Sequence, residues 1–449
     1  MQRFLLAFVV LEGMVMAGPA VAPPAVTFNR DVLPILQKHC QTCHRPGEVA
    51  PMSLLTYQEA RPWAAAIKDA VLTKKMPPWF AESTSHAFAN ERKLSAKELG
   101  TLVAWVDGGA AKGDDSDKPA PLHFTDGWNI RPDMVVQAPA ISLPASGTLE
   151  YRYVLVKVNF PKDLWVQAAE IRPGNRKVVH HMKAWIRPPG SRYMAGIQPG
   201  VYMTMPELRA AQQRAVAAGA RSSLDMDGPM QDMLAKYNPG LDAQHFDVDG
   251  AAKFIPKGSD IVFECHFTTD GEATGEQPKV GIMLAPAPPE RRYFTTGALT
   301  NHKFTLPAGD PNAEVREEVE VESPAQLVWV QPHMHLRGKD YELRAVYPTG
   351  EQETLLKAKF DFNWQLGYEF AKPVILPKGT HLIGISHFDN SANNPYNPNP
   401  KIDVHYGPQN WDEMSVGFFS VVIDKNTDLR TLFRKVEPSA PESAPGNRR

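Results

Sequence analysis

The chain has 449 residues, 43% of them hydrophobic, which is enough for two or three ordinary domains with cores of their own and excludes a short peptide fold or a disordered tail. Lysine plus arginine (48) nearly balances aspartate plus glutamate (50), so the formal net charge of −2 supplies no basic field, and no nucleic-acid partner is expected. Proline, at 41 residues, is roughly twice its usual ~5% share, which predicts a β-rich chain with many turns.

The first segment reads as a signal peptide, residues 1–22. Met1-Gln2-Arg3 is a short basic start, Phe4 to Ala20 is mostly apolar, and Ala20-Val21-Ala22 has the small-x-small pattern of a cleavage site. A retained anchor is the other reading, but Glu12 and Gly13 interrupt a run already shorter than the ~20 apolar residues a spanning helix needs. The mature chain is therefore expected to be periplasmic or secreted, with no membrane span.

Next comes Cys40-Gln41-Thr42-Cys43-His44. At this spacing two thiols add to the two vinyl groups of one haem c while His44 ligates the iron. Zinc would need two more ligands, and the chain's third cysteine has no neighbour to pair with. Met76 is the expected second iron ligand. It follows a helical stretch, Arg61 to Lys75, and opens Met76-Pro77-Pro78-Trp79, whereas Met52 is too close to His44 to reach the opposite face. His86 and a merely packed methionine remain the alternatives. Phe28, Val32, Ile35 and Leu36 recur at helical spacing before the motif. Ser95 and Glu98 form a capping box for a helix carrying Leu99, Leu102, Val103 and Val106, which stops at Gly108-Gly109. Residues 24–112 resemble a small all-α class I cytochrome c, and 113–125 read as a polar linker.

From about Gly127 the pattern changes to period two. Tyr151 to Val158, Phe254 to Phe267 and Gln326 to His335 read as strands of sandwich domains. Pro206 to Ala218 is an alanine-rich helical insertion, and Met226, Met230 and Met233 after it read as gap-filling or lid residues rather than ligands.

Three clusters stand out: Val178-Val179-His180-His181-Met182 with Glu264-Cys265-His266-Phe267 about 85 residues later; Gln331-Pro332-His333-Met334-His335; and Trp411-Asp412-Glu413-Met414. His333 and His335, two apart on a strand, face one side. Adjacent His180 and His181 face opposite sides unless a bulge, a strand end or different ring nitrogens bring them together. Three imidazoles at one site, and two imidazoles with a thioether at another, suit two copper ions, since methionine sulfur favours Cu(I) and zinc would not select it.

The order His-His-Met, single His, His-x-His, Asp-Glu-Met resembles the copper type II monooxygenases, the group of peptidylglycine α-hydroxylating and dopamine β-type enzymes, over residues 126 to 425. The resemblance implies two all-β antiparallel jelly-roll domains, 126–286 and 287–430, followed by a flexible tail, 431–449. It implies a first copper at His180, His181 and His266 that passes an electron. A second, at His333, His335 and Met414, is where O2 binds and a substrate C–H bond is attacked, with the two coppers facing across an open cleft. His405 falls where the family has a non-ligand histidine. Where the peptide-hydroxylating branch clamps a substrate carboxylate with Arg and Tyr, this chain has Gln331 and Phe418, so a charge-assisted clamp and a peptidylglycine substrate are not expected. Cys265 alternates away from His266 and reads as a buried free thiol.

The expected activity is hydroxylation of a small organic substrate with O2. Electrons would come from ascorbate or a periplasmic redox protein and enter through the fused haem. The competing reading keeps the ligands but drops the oxygen chemistry, leaving a periplasmic electron-transfer or copper-holding protein. A β-sandwich with incidental histidines leaves the motif order unexplained.

Overall fold

Hydrophobic spacing at the start of the chain becomes a helical unit. A π-helical turn, Phe28–Val32, runs into the α-helix Leu33–His39. A second helical run, Tyr57–Ala60 through Arg61–Trp63 to Ala64–Leu72, opens on a Thr56/Glu59 capping box. The third helix, Ala96–Asp107, has the box expected from Ser95 and Glu98 and ends at Gly108. Phe28, Val32, Leu36, Ile67, Val71 and Leu102 form its core around Trp105, which is fully buried. The computed structural model describes residues 25–436 apart from 49, 83–84, 125–126, 225–231 and 242. The signal peptide, Met226, Met230 and the end of the tail lie outside the described residues.

The stretch expected as a free linker is tied down. Asn29 Nδ2 donates to Asp114 O at 2.8 Å and Gln37 Nε2 to Ala120 O at 2.9 Å. Gly113 turns there with φ +81, where a Cβ would meet the Thr27 side chain at 2.6 Å, so only glycine fits. The unit is also docked on the rest of the protein. The Glu48 carboxylate, just past the cysteine motif, pairs with Arg45 (2.9 Å) and with Arg176 of the next unit. The segment after Met76 leaves the helices as an extended arm, placing Trp79 against Tyr368 (ring centroids 5.2 Å) and Phe88 against Phe370 (5.4 Å).

Past residue 130 the described chain is mostly β-sheet. Its largest sheet runs in the order Met134–Gln137, Lys279–Leu284, Leu164–Arg172, Ala251–Ile255, Arg291–Asn301, Ser415–Asp424, Ala325–His333, Tyr368–Leu376, with Gln244–His245 added beside Leu164–Arg172. The first half packs on a four-stranded sheet (Arg152–Val156, Asp260–Phe267, Val179–Arg187, Asp232–Tyr237) around Val166, Ile171, Trp185 and Phe263. The second half packs on a five-stranded sheet around Leu327, Leu343, Leu382 and Val421. Strand Ala313–Val321 shows why: Val315, Val319 and Val321 turn inward with Glu317, which accepts from Ser415 Oγ at 2.7 Å, while Glu314, Arg316, Glu318 and Glu320 face the other way. The insertion is a helix, Met205–Ala217, whose Met205 and Leu208 join the first core together with Met233.

Two boundaries move. Residues 431–436, expected as part of a flexible tail, belong to the fold: Leu432 and Phe433 are buried and Phe433–Val436 pairs with Glu318 to Val321. The division at 286/287 separates neither two sheets nor two cores, since the first core takes Tyr293, Trp329 and Phe418 from beyond it. The parallel pair Ala251 to Lys253 on Arg291 to Tyr293 carries one sheet across it. No described helix is long and apolar enough to cross a membrane.

A buried polar network seals that crossing. Lys253 Nζ donates to Asp232 Oδ1 and to Thr295 Oγ1 (3.1 Å), Thr295 N–H donates to Asp232 Oδ1 (3.1 Å), and Arg292 reaches Asp232 Oδ2 at 3.3 Å. Lys253 and Asp232 are 0% and 4% exposed. Burial pulls Lys253 below its ordinary range while Asp232 holds it up. Removing one charge from such a pair strands the other. Asp232→Asn is therefore expected to destabilise the protein by roughly 3–5 kcal/mol, read as a lower urea midpoint; an unchanged midpoint would show that the network contributes nothing.

Candidate metal centre

The strand Val179–Arg187 answers the question its adjacent histidines raise. Val179 pairs with Phe267 and His181 with His266, which leaves His180 as the extra residue of a β-bulge. The bulge turns His180 to the side of His181. Nδ1 of His180 lies 3.1 Å from Nδ1 of His181 and 3.2 Å from Nδ1 of His266, and one ring nitrogen from each of the three falls within 4.8 Å of the others. Nitrogens held at ~2.0–2.1 Å by one tetrahedral ion stand roughly 3.3 Å apart, so this spacing fits a single metal ion.

The rings are held in place by stacking. His180 lies on Phe362 (4.7 Å, 22°) and His266 on Tyr151 (4.5 Å, 12°). Asn410 meets His266 Nε2 at 3.1 Å through its amide nitrogen, while its Oδ1 is buried with no partner. Turning the amide over lets Oδ1 accept from Nε2–H, which satisfies both and frees Nδ1 for a metal. Burial keeps the set neutral. It pushes His180 down to about 4 and His181 and His266 well below the usual imidazole range, with neighbouring positive charge adding to the effect. Neutral imidazoles bind metal without first losing a proton.

His333 ends the strand Ala325–His333, and Met414 stands just before the neighbouring strand Ser415–Asp424, where Val416 pairs with His333. His333 Nδ1 donates to Gln365 Oε1 at 2.7 Å, leaving Nε2 as the free donor. Glu413 is the residue that builds this corner. Its carboxylate accepts from the N–H of His335 (2.8 Å), Arg337 (2.7 Å) and Met414 (3.3 Å). Burial raises its carboxyl to about 8 against those donors and Arg337. His335 is fully buried with neither ring nitrogen in a regular hydrogen bond, and burial pushes it down to about 3. Met414 and His333 share a cavity of about 350 Å³ with Tyr151, Tyr153, Lys183 and Glu264.

The two sets are in contact. His181 and His333 meet edge to face with ring centroids 5.8 Å apart, and His333 meets His335 at 5.4 Å. The resemblance implies an open cleft between them; the structure instead gathers five imidazoles into one cluster, four buried and His180 half-buried, because the shared sheet brings the ends of the two sandwiches together. His405 is exposed beside Thr305 Oγ1 (3.1 Å), on the surface.

Cys40, Cys43, His44 and Met76 line one cavity of about 500 Å³, within the range of small-molecule sites. Cys40 and Cys43 form no disulfide. His44 Nδ1 donates to Met52 O at 3.3 Å, which leaves its Nε2 for a ligand, while Met52 packs against the helical core. His86 is elsewhere, pairing with Glu353 (3.0 Å) and packing its ring on Phe370. The far wall of the same cavity carries Trp364, Asn363 and His180. The cysteine motif and the histidine cluster are thus neighbours.

Several site residues escape a reading of the sequence. Lys183 and Glu264 pair at 2.9 Å, both about 4% exposed, and Lys236 Nζ donates to Gln331 Oε1 at 2.6 Å. Both ammonium groups lie 4.9 Å from the Phe418 ring. Lysine side chains therefore do stand beside Gln331 and Phe418, supplied by other strands, with burial pulling Lys236 well below the ordinary lysine range. Period two was the available signal, since Lys183 follows His181 by two and Glu264 precedes His266 by two. Cys265, on the opposite face, is fully buried in the first core.

No family model matches the chain, and no curated protein matches it. Among solved structures it overlaps the infectious bursal disease virus Gx strain at 9% identity, covering 68% of this chain and 77% of that one, with a TM-score of 0.18. It overlaps the PBSX exported protein XepA at 9% identity, covering 57% and 86%, with a TM-score of 0.17. Likenesses this slight say nothing about activity.

The converging nitrogens make a metal prediction. His266→Ala is expected to weaken Cu(II) binding at least tenfold, about 1.4 kcal/mol, in calorimetric titration, whereas His405→Ala leaves it unchanged. Equal affinities for the two variants would remove His266 from the centre.

Proposed function

We propose that the chain is a copper-dependent monooxygenase that hydroxylates a C–H bond of a small organic substrate with O2, drawing electrons through a haem c carried on the same chain. The observation that carries this is the contact between two motif-matched ligand sets, His180/His181/His266 and His333/His335/Met414, through His181 and His333, with His180 also in the wall of the Cys40/Cys43/His44 cavity. The finer fold goes with it: residues 24–112 as a small cytochrome c and the two sandwiches as jelly rolls of the copper type II monooxygenase kind. The remaining expectations are a periplasmic or secreted location and ascorbate or a periplasmic redox protein as donor.

Copper held here would supply one-electron chemistry and O2 activation, and haem would supply the electrons singly. The chain's own residues do the rest. His180, His181 and His266 present three neutral nitrogens, a set that holds Cu(I) and Cu(II) alike. His333 and His335 with the Met414 sulfur form a softer set that favours Cu(I). Glu413 fixes the backbone at both of its ends, and Gln365 fixes the His333 tautomer. The adjoining cavity, walled by Tyr151, Tyr153 and Phe418, takes the apolar part of a substrate, and the Lys183–Glu264 pair gives it a polar end. Burial of the cluster excludes water from the reacting groups.

The test starts from the mature protein made with covalent haem attachment. One haem and two coppers per chain are expected, followed by O2 uptake coupled to a hydroxylated product in a substrate screen. Met414→Ile should abolish coupled product while leaving the haem bands intact. Coupled activity retained in that variant contradicts the assignment. Full metal loading with O2 reduction but no product throughout the screen points to the electron-transfer reading instead.

A further inference from the structure

One short turn touches every part of the proposed electron path. Phe362 stacks on His180 at 4.7 Å and 22°. Asn363 and Trp364 stand in the wall of the cavity lined by Cys40, Cys43, His44 and Met76. Gln365 Oε1 accepts from His333 Nδ1 at 2.7 Å, and its backbone carbonyl accepts from Gln331 Nε2 at 2.6 Å. Four successive residues thus reach the cysteine cavity and both histidine sets.

The turn is held rigidly. Trp364 N–H donates to Asp361 O (3.0 Å) and Leu366 N–H to Trp364 O (2.9 Å). Gly240, at φ +78, runs under the indole, where a Cβ would lie 3.2 Å from both the Trp364 ring and the Arg92 guanidinium. Only glycine lets the backbone approach that closely.

Resting on the function proposed above, we infer that the 362–365 turn is the positioning element of electron transfer: Trp364 lines the Cys40 cavity beside His180, Phe362 stacks on His180, and Gln365 ties the same turn to His333. One electron leaves Fe(II), which becomes Fe(III), and reduces Cu(II) at the His180 set to Cu(I). No bond is made or broken, and an external one-electron donor re-reduces the haem. Tunnelling weakens steeply with distance and passes better through packed aromatic atoms than through water, so the two rings set the rate without being ligands.

The experiment uses the haem- and copper-loaded full chain. Haem is reduced by one electron in the presence of Cu(II), its reoxidation is followed optically, and loss of the Cu(II) signal is followed by freeze-quench EPR. In the fraction of each protein that carries both haem and copper, Phe362→Leu and Trp364→Leu are expected to slow haem-to-copper transfer at least tenfold, and Trp364→Phe to recover most of the rate. Reduction of the copper by added ascorbate, which bypasses the haem, should stay at the wild-type rate. Fully loaded Leu variants that transfer at the wild-type rate overturn the inference about the turn. Wild-type protein that binds no copper, or whose reduced haem never reduces it, overturns the underlying function instead.

Discussion

The candidate site depends on one backbone pairing, the parallel contact of Ala251 to Lys253 with Arg291 to Tyr293. Two sandwiches joined by a flexible connection would leave their histidine strands free to move apart. Here a single sheet continues from one to the other, and Asp232, Lys253, Arg292 and Thr295 lock the crossing with buried polar bonds. The ends of the two sandwiches are thereby held together, and His181 meets His333. Packed sheets have few alternative arrangements, so the separation of the two ligand sets is a property of the fold rather than of side-chain choice.

Burying four imidazoles and half-burying a fifth opposes stability unless something satisfies their nitrogens. His180 Nε2, His181 Nε2 and both nitrogens of His335 are buried without regular partners. Each such group carries a desolvation penalty. A metal ion held at the converging Nδ1 atoms of His180, His181 and His266 would offset part of that cost and link metal binding to folding. The bulge at His180 belongs to the same trade: it breaks the strand's regular pairing for one residue and in return points two adjacent histidines at one place. Such local violations of strand rules concentrate where a protein has a task other than folding.

Much of this was legible in the sequence, and the reasons are local. The cysteine motif, the Ser95/Glu98 box, the helix over 205–217 and the strand around His333 follow from short-range spacing, and the box, the helix and the strand are visible in the backbone. Three imidazoles converge where the motif order placed them. The illegible parts are long-range. Nothing near His180 announces the bulge, since it exists only relative to the partner strand. Gln365, Asn410 and Phe362 reach the histidines from other elements and carry no pattern of their own. The lysine side chains beside Gln331 and Phe418 are those of Lys183 and Lys236, on strands of the other sandwich. The arm that leaves the helices after Met76 could not be read either, because its partners, Tyr368 and Phe370, lie nearly 300 residues away.

The central claim is that two sandwiches hold one contiguous histidine centre. EPR of the fully oxidised, copper-loaded protein tests it most directly. The account predicts two coppers per chain whose Cu(II) spectra are broadened by mutual magnetic coupling and show a half-field transition, which disappears when His333 and His335 are both replaced. Two sharp, independent Cu(II) spectra, or a single copper per chain, would contradict it.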